Sequence, residues 1–143
     1  MDRLKDLDKE EREKIQKVLG QCLEKEEGIL FAYLHGSFTE GRSFRDIDIG
    51  VFVEASKVPK EKGLDFEIST AIKLEAVTKM PIDVKVINYA PLSFKYEVIK
   101  GGRLILAKDD EKRVDFETST FSYYFDFAPY RDRYLKEVLN IGD

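Results

Sequence analysis

The sequence predicts an α+β domain, a mixed sheet flanked by helices, and three observations carry that expectation. Short apolar runs of strand length alternate with longer segments whose apolar residues recur at helical spacing. No internal repeat, low-complexity linker or change of composition divides the chain, so its 143 residues read as one domain, 1–143. A Gly-Ser turn after the first strand is followed by two aspartates one residue apart at the head of the second.

The first helix is expected from about Asp8 to Glu27. Asp8 and Glu11 form a plausible capping pair, and Leu4, Leu7, Ile15, Val18, Leu19, Cys22 and Leu23 recur at helical spacing before Gly28 ends the element. Ile29 to His35 is strand one. Gly36-Ser37 opens a turn and a short helix ending near Gly41. Asp46 to Glu54 is strand two, with Ile47, Ile49, Val51 and Val53 on one face and Asp46, Asp48, Gly50 and Phe52 on the other. Pro59, Lys60 and Gly63 mark a loop. A helix follows from Leu64 to Lys79, with Leu64, Ile68, Ala71, Ile72 and Ala76 facing inward. Ile82 to Ile87 is strand three, Pro91 opens a helix that Gly101-Gly102 stops, and Arg103 to Ala107 is strand four. Lys108 to Asn140 reads as a helical, aromatic-rich tail interrupted at Pro129.

Composition narrows the function classes. No apolar run approaches the roughly 18 residues of a membrane span, and the charged N-terminus lacks the apolar centre of a signal peptide. Cys22 is alone, so no disulfide or cysteine zinc site forms within one chain. Together these predict a cytoplasmic protein. The net charge is −4, with Lys and Arg interspersed among Asp and Glu, which disfavours bulk nucleic acid as a ligand.

The chemistry concentrates between His35 and Val51. Asp46 and Asp48 are two apart on a strand, so their side chains share a face, with Cα atoms roughly 6.5 to 7 Å apart. Two carboxylates held that close repel unless a positive object lies between them, and Mg²⁺ favours such oxygen ligands. The bland alternative is a solvated strand face. Gly36 and Ser37 are an ordinary turn, or a phosphate cradle made of free N–H groups and a hydroxyl. Asp83 is a surface residue paired with a neighbouring lysine, or a third carboxylate on the adjacent strand. Three carboxylates can bind two metals for in-line displacement at phosphorus. Arg42 and Arg45 contact a triphosphate or serve solubility. His35, the single histidine, reads as structural. The tail set of Phe116, Phe121, Tyr123, Tyr124, Phe125, Phe127, Tyr130 and Tyr134 is core, or in part left for a partner.

Taken in order, Gly36-Ser37, Asp46-Ile47-Asp48 and Asp83 resemble the signature of the polymerase-β-like nucleotidyltransferase superfamily. The likeness is strongest to the minimal nucleotidyltransferases (MNT) of HEPN/MNT toxin–antitoxin modules. The runs Ile82 to Pro91 and Tyr124 to Pro129 share it, and it covers roughly residues 29 to 135. The resemblance implies a nucleotidyltransferase fold and a Mg²⁺-dependent enzyme, with two ions during turnover. It would transfer a nucleoside monophosphate, AMP from ATP, to a hydroxyl. Asp46, Asp48 and Asp83 would hold metal and be catalytic. Gly36 and Ser37 would bind the nucleotide, helped by Arg42 and Arg45. It further implies a HEPN-domain partner whose tyrosine is the acceptor, making this chain the antitoxin. The alternatives are a non-catalytic antitoxin that neutralises its partner by contact, and a small-molecule nucleotidyltransferase of the aminoglycoside type.

Overall fold

The structure, a computed structural model, describes residues 4–139. Four strands form one sheet in the order β3-β2-β1-β4, where β1 is Ile29–His35, β2 Ile47–Val53, β3 Ile82–Val86 and β4 Arg103–Ala107. β1 pairs antiparallel with both β2 and β4, while β2 and β3 run parallel, so the sheet is mixed as expected. Four helices surround it: α1 (Lys9–Glu24), α2 (Gly63–Thr78), α3 (Leu92–Gly101) and α4 (Asp110–Leu139). Among the described residues, no helix is long and apolar enough to cross a membrane.

The alternation of β2 sets the two layers. Ile47, Ile49, Val51 and Val53 are buried with Leu34, Val84, Val86 and the α1 residues Leu19 and Leu23 in one core. On the opposite face, Phe31 and Tyr33 pack with Val98 of α3 and Ile87, against which Phe52, Phe94 and Phe116 lean. Gly50 belongs to this second face, because a Cβ there would crowd Ile87 and Val98. Tyr33 donates to Glu117 at 2.5 Å, tying β1 to α4. Burial and this bond to a carboxylate both push the Tyr33 phenol far above its ordinary pKa.

Several boundaries differ from expectation for identifiable reasons. Helix α1 ends at Glu24 rather than Glu27, because Lys25 and Glu26 donate to Cys22 and Leu23 in tightened turns. Its start is capped as expected, with Asp8 accepting from the Glu11 N–H at 2.8 Å and Glu11 accepting from the Asp8 N–H at 3.3 Å. Residues 36 to 42 form successive turns and not a helix, because Gly36 and Gly41 adopt left-handed φ values of 82° and 76° at either end. Helix α4 runs through Pro129 without interruption. Asn140 lies outside the described residues.

The largest correction concerns α2. Leu64, Ile68 and Ile72 are 66%, 53% and 61% exposed, and Ala76 is exposed too. The face turned to the core carries Phe66, Thr70, Ala71 and Leu74 instead. The helix is fixed this way by two glutamates. Glu75 accepts from the Ile82 N–H at 3.0 Å and Glu67 from the Val86 N–H at 2.7 Å. Both amides lie on the outer edge of β3, which the helix thereby covers.

In the tail, Phe116 stacks into the second core and Tyr124 lies 3.7 Å from Tyr96, centroid to centroid. Phe121 packs edge-on against Tyr96. Tyr123 and Phe125 are exposed. The side chains of Phe127, Tyr130 and Tyr134 lie outside those described.

Asn88 completes β2 from outside the sheet. Its amide accepts from the Val53 N–H and donates to the Val53 carbonyl, each at 2.8 Å, as a paired strand would. Asn88→Ala leaves both half-buried groups unmatched and should cost about 2 kcal/mol, read as a lowered urea midpoint at unchanged slope. An unchanged midpoint would show that this amide clamp carries no stability.

Candidate active site

Strand pairing builds the site. In β1–β2 the register sets His35 opposite Asp48, and in β2–β3 it sets Asp48 beside Asp83. His35, Asp48 and Asp83 therefore form one row across three strands, at the sheet spacing of about 4.8 Å. Asp46 precedes β2 by one residue on the same face as Asp48 and is exposed, as is Asp83. Asp48 is the half-buried member. Loss of water, followed by the charges of Asp83 and Asp46, pushes its pKa up to about 6.

Gly36 lies directly against this carboxylate. A Cβ at Gly36 would run into Asp48 Oδ2, and the backbone there is in the left-handed region at φ 82°. Glycine is required twice over, for close approach and for conformation. The following turn is closed by Thr39 and Glu40 donating to the Gly36 carbonyl at 3.1 and 3.2 Å. The N–H groups of Ser37 and Phe38 and the Ser37 hydroxyl have no hydrogen-bond partner among the described residues, so they remain available to a ligand. Two buried polar atoms nearby are also unmatched, His35 Nε2 and Thr39 Oγ1. Burial holds the His35 pKa below its ordinary value, against the opposing pull of Asp83.

A cleft of about 250 Å³ joins the turn to the aspartates, lined by Ser37, Ser43, Arg45, Asp46 and Asp48 among others. Arg45 thus stands at the cleft. Arg42 does not line it, and its guanidinium is paired with Glu40, so each neutralises the other's charge.

Sequence reasoning missed the residue that holds the turn in place. Arg12 of α1 donates from Nε to the Leu7 carbonyl at 2.8 Å, from one terminal nitrogen to Phe38 at 2.8 Å, and from the other to Arg42 at 3.0 Å. Its guanidinium also lies over the rings of Phe38 and Phe44, 5.3 and 5.2 Å from their centroids. The N-terminal arm adds a two-bond bridge between Lys5 and Phe44. No local pattern announces such a clamp, since its acceptors are backbone carbonyls 26 and 30 residues away.

The donor chemistry fits a hard divalent cation. Three carboxylates share one face, and the protein places no positive side chain in an ion pair with any of them among the described residues. Among the described residues no three or more His, Cys, Asp or Glu side chains are grouped so as to hold a metal ion on their own. An open set suits Mg²⁺, which takes one or two carboxylates and completes its shell with water and substrate phosphates.

The crowding predicts a pH dependence. The unfolded Asp48 carboxyl ionises near 3.8 and the folded one near 6, so the folded state holds its proton more tightly. This contribution to stability is present below about pH 4 and lost as pH rises through 6. Asp48→Asn should raise stability at pH 7.5 by about 1 kcal/mol, discounted because the group is only half buried, and flatten the profile between pH 4 and 6. A mutant with wild-type slope in that window would contradict the crowding.

Comparison with known proteins identifies the fold and the family. The fold matches a chain of the complex between a tri-AMPylated Shewanella oneidensis HEPN toxin and an MNT antitoxin. The TM-score is 0.68 at 19% identity, covering 90% of this chain and 98% of that one. A chain of a toxin–antitoxin complex with AMP-PNP matches at TM-score 0.67 and 20% identity, covering 87% and 98%. A chain of the MntA–HepT toxin–antitoxin matches at TM-score 0.64 and 19% identity, covering 92% and 99%. A search of curated proteins found no match. Residues 13–111 match the family described as Polymerase beta, Nucleotidyltransferase, a span that holds the Gly36–Ser37 turn and all three aspartates. The chain belongs to the polymerase beta nucleotidyltransferase family.

Proposed function

We propose that this protein transfers AMP from ATP to a hydroxyl on a partner protein, a tyrosine of a HEPN-type toxin, and so acts as the antitoxin of a pair. The observation that carries the reading is the row of Asp48 and Asp83, with Asp46 on the same face, ending at the Gly36–Ser37 turn. The HEPN and AMP parts draw on the shared fold, since one matched complex holds an AMPylated HEPN toxin and another AMP-PNP. The whole chain acts as one nucleotidyltransferase unit in the cytoplasm.

Each residue has a defined task. The Ser37 hydroxyl and the free N–H groups of the turn bind the β- and γ-phosphates. Arg45, at the cleft, adds positive charge beside them. Asp46, Asp48 and Asp83 would hold Mg²⁺, which would supply positive charge to offset that on the phosphates. Asp83, on the outer strand, takes the proton from the acceptor hydroxyl. That oxygen forms a bond to the α-phosphorus, the bond from it to the β-phosphate bridge breaks, and pyrophosphate leaves on the Gly36–Ser37 side. Catalysis is mainly positioning and charge neutralisation.

Label placement tests the reaction directly. ATP labelled at the α-phosphate should label the acceptor, whereas γ-labelled ATP should not, and γ transfer would identify a kinase instead. Asp48→Asn or Asp83→Asn should lower transfer by about a thousandfold or more, and Ser37→Ala by about tenfold. ATP with Mg²⁺ should raise the melting temperature of the wild type and leave Asp46→Asn unshifted. Equal shifts in both proteins would remove Asp46 from the binding site.

A further inference from the structure

Helix α2 exposes apolar residues where a lone domain would have polar ones. Leu64, Ile68 and Ile72 are spaced i, i+4, i+8 and each is more than half exposed. They form one ridge, about 12 Å long at the helical rise. The ridge borders the outer edge of β3, the strand that carries Asp83.

Two clefts adjoin the ridge, and one of them reaches Asp83. One, of about 240 Å³, is lined by both Ile68 and Asp83. The other, of about 480 Å³, extends towards α3 and is walled by Tyr89, Pro91 and Phe94. Leu64, Glu67 and Lys85 line both. Lys85 lies two residues beyond Asp83 on the same face of β3, and Lys60 stands on the rim of the larger cleft. Neither lysine has an ion-pair partner among the described residues.

In-line displacement fixes the direction of approach. The leaving pyrophosphate and the entering oxygen lie on opposite sides of the α-phosphorus. With the phosphates at the β1 end of the row, the hydroxyl must arrive from the β3 side. That side is where the ridge and clefts lie. A small acceptor would fill a cleft and leave the ridge bare, whereas a protein helix would cover both.

We propose that the α2 ridge and the β3 edge form the docking surface for the protein acceptor. Its occupant is a helix with apolar residues four apart to lie on Leu64, Ile68 and Ile72. An acidic residue reaches Lys85 and Lys60, and the acceptor hydroxyl is presented beside Asp83. The proposal rests on the reading of AMP transfer to a protein.

The test uses the full chain, Mg²⁺ and α-labelled ATP in an extract of the cells that encode it. Ile68→Glu and Lys85→Glu should each lower labelling of the acceptor protein by about tenfold or more. Both should keep the ATP-dependent melting shift. Benzoylphenylalanine placed at Ile72 should crosslink the labelled protein itself, while the same group at Lys17 on α1 should not. Labelling insensitive to both charge substitutions, or crosslinking from Lys17 alone, overturns the docking surface and leaves the transfer reading intact. A chain that sediments as a dimer and becomes a monomer as Ile68→Glu also overturns it, because the ridge then joins two copies. If wild type labels no protein, the transfer reading falls and this inference with it.

Discussion

The carboxylate of Asp48 is the constraint around which the molecule is arranged. It must be half-buried, close to two other acids, and in contact with a backbone that has no side chain. Each condition is unfavourable alone. Burial of a charge costs solvation, like charges repel, and a left-handed backbone excludes most residues. The sheet meets the conditions by dividing its faces. Ile47, Ile49 and Val51 anchor β2 in one core, so the alternate residues have no freedom to turn away. A polar cluster held in a strained electrostatic state on a rigid support is the usual form of a site tuned for an incoming ligand.

Support for the Gly36–Ser37 turn comes from outside the turn. With Gly residues in left-handed conformations at both ends and only a few internal bonds, the segment has little stiffness of its own. Arg12 supplies it, because one planar guanidinium satisfies three carbonyls and packs against two phenyl rings. Its fixed fork geometry suits this role better than a lysine would. Helix α1, remote from any substrate, is thereby part of the device that shapes the cradle.

How much of this could be read in the sequence depended on whether the signal was local. Strands β1 to β4 were legible because period-two alternation and flanking Gly or Pro are local features. The row of Asp48 and Asp83 followed from two apolar strands carrying single acids on the wrong face for a core. Helix α2 was misread because it carries two apolar stripes. Phe66, Thr70 and Leu74 recur at helical spacing as well as Leu64, Ile68 and Ile72, and spacing alone does not choose between them. The choice is made by Glu67 and Glu75 seeking the amides of β3, a long-range requirement. Arg12 and Asn88 escaped notice for the same reason, since each binds backbone that any sequence could supply.

The two glutamates of α2 also act as a ruler. The eight steps of helix from Glu67 to Glu75 rise about 12 Å, and the four steps of strand from Ile82 to Val86 span about 13 Å. The match lets both bonds form at once, with Glu75 at Ile82 and Glu67 at Val86, and a shift by one helical turn would break both. Helix and strand are therefore locked in phase along their length. Every exposed point on the outer side of α2 stands at a fixed offset from Asp83, so a body resting on the helix inherits its coordinates from the strand.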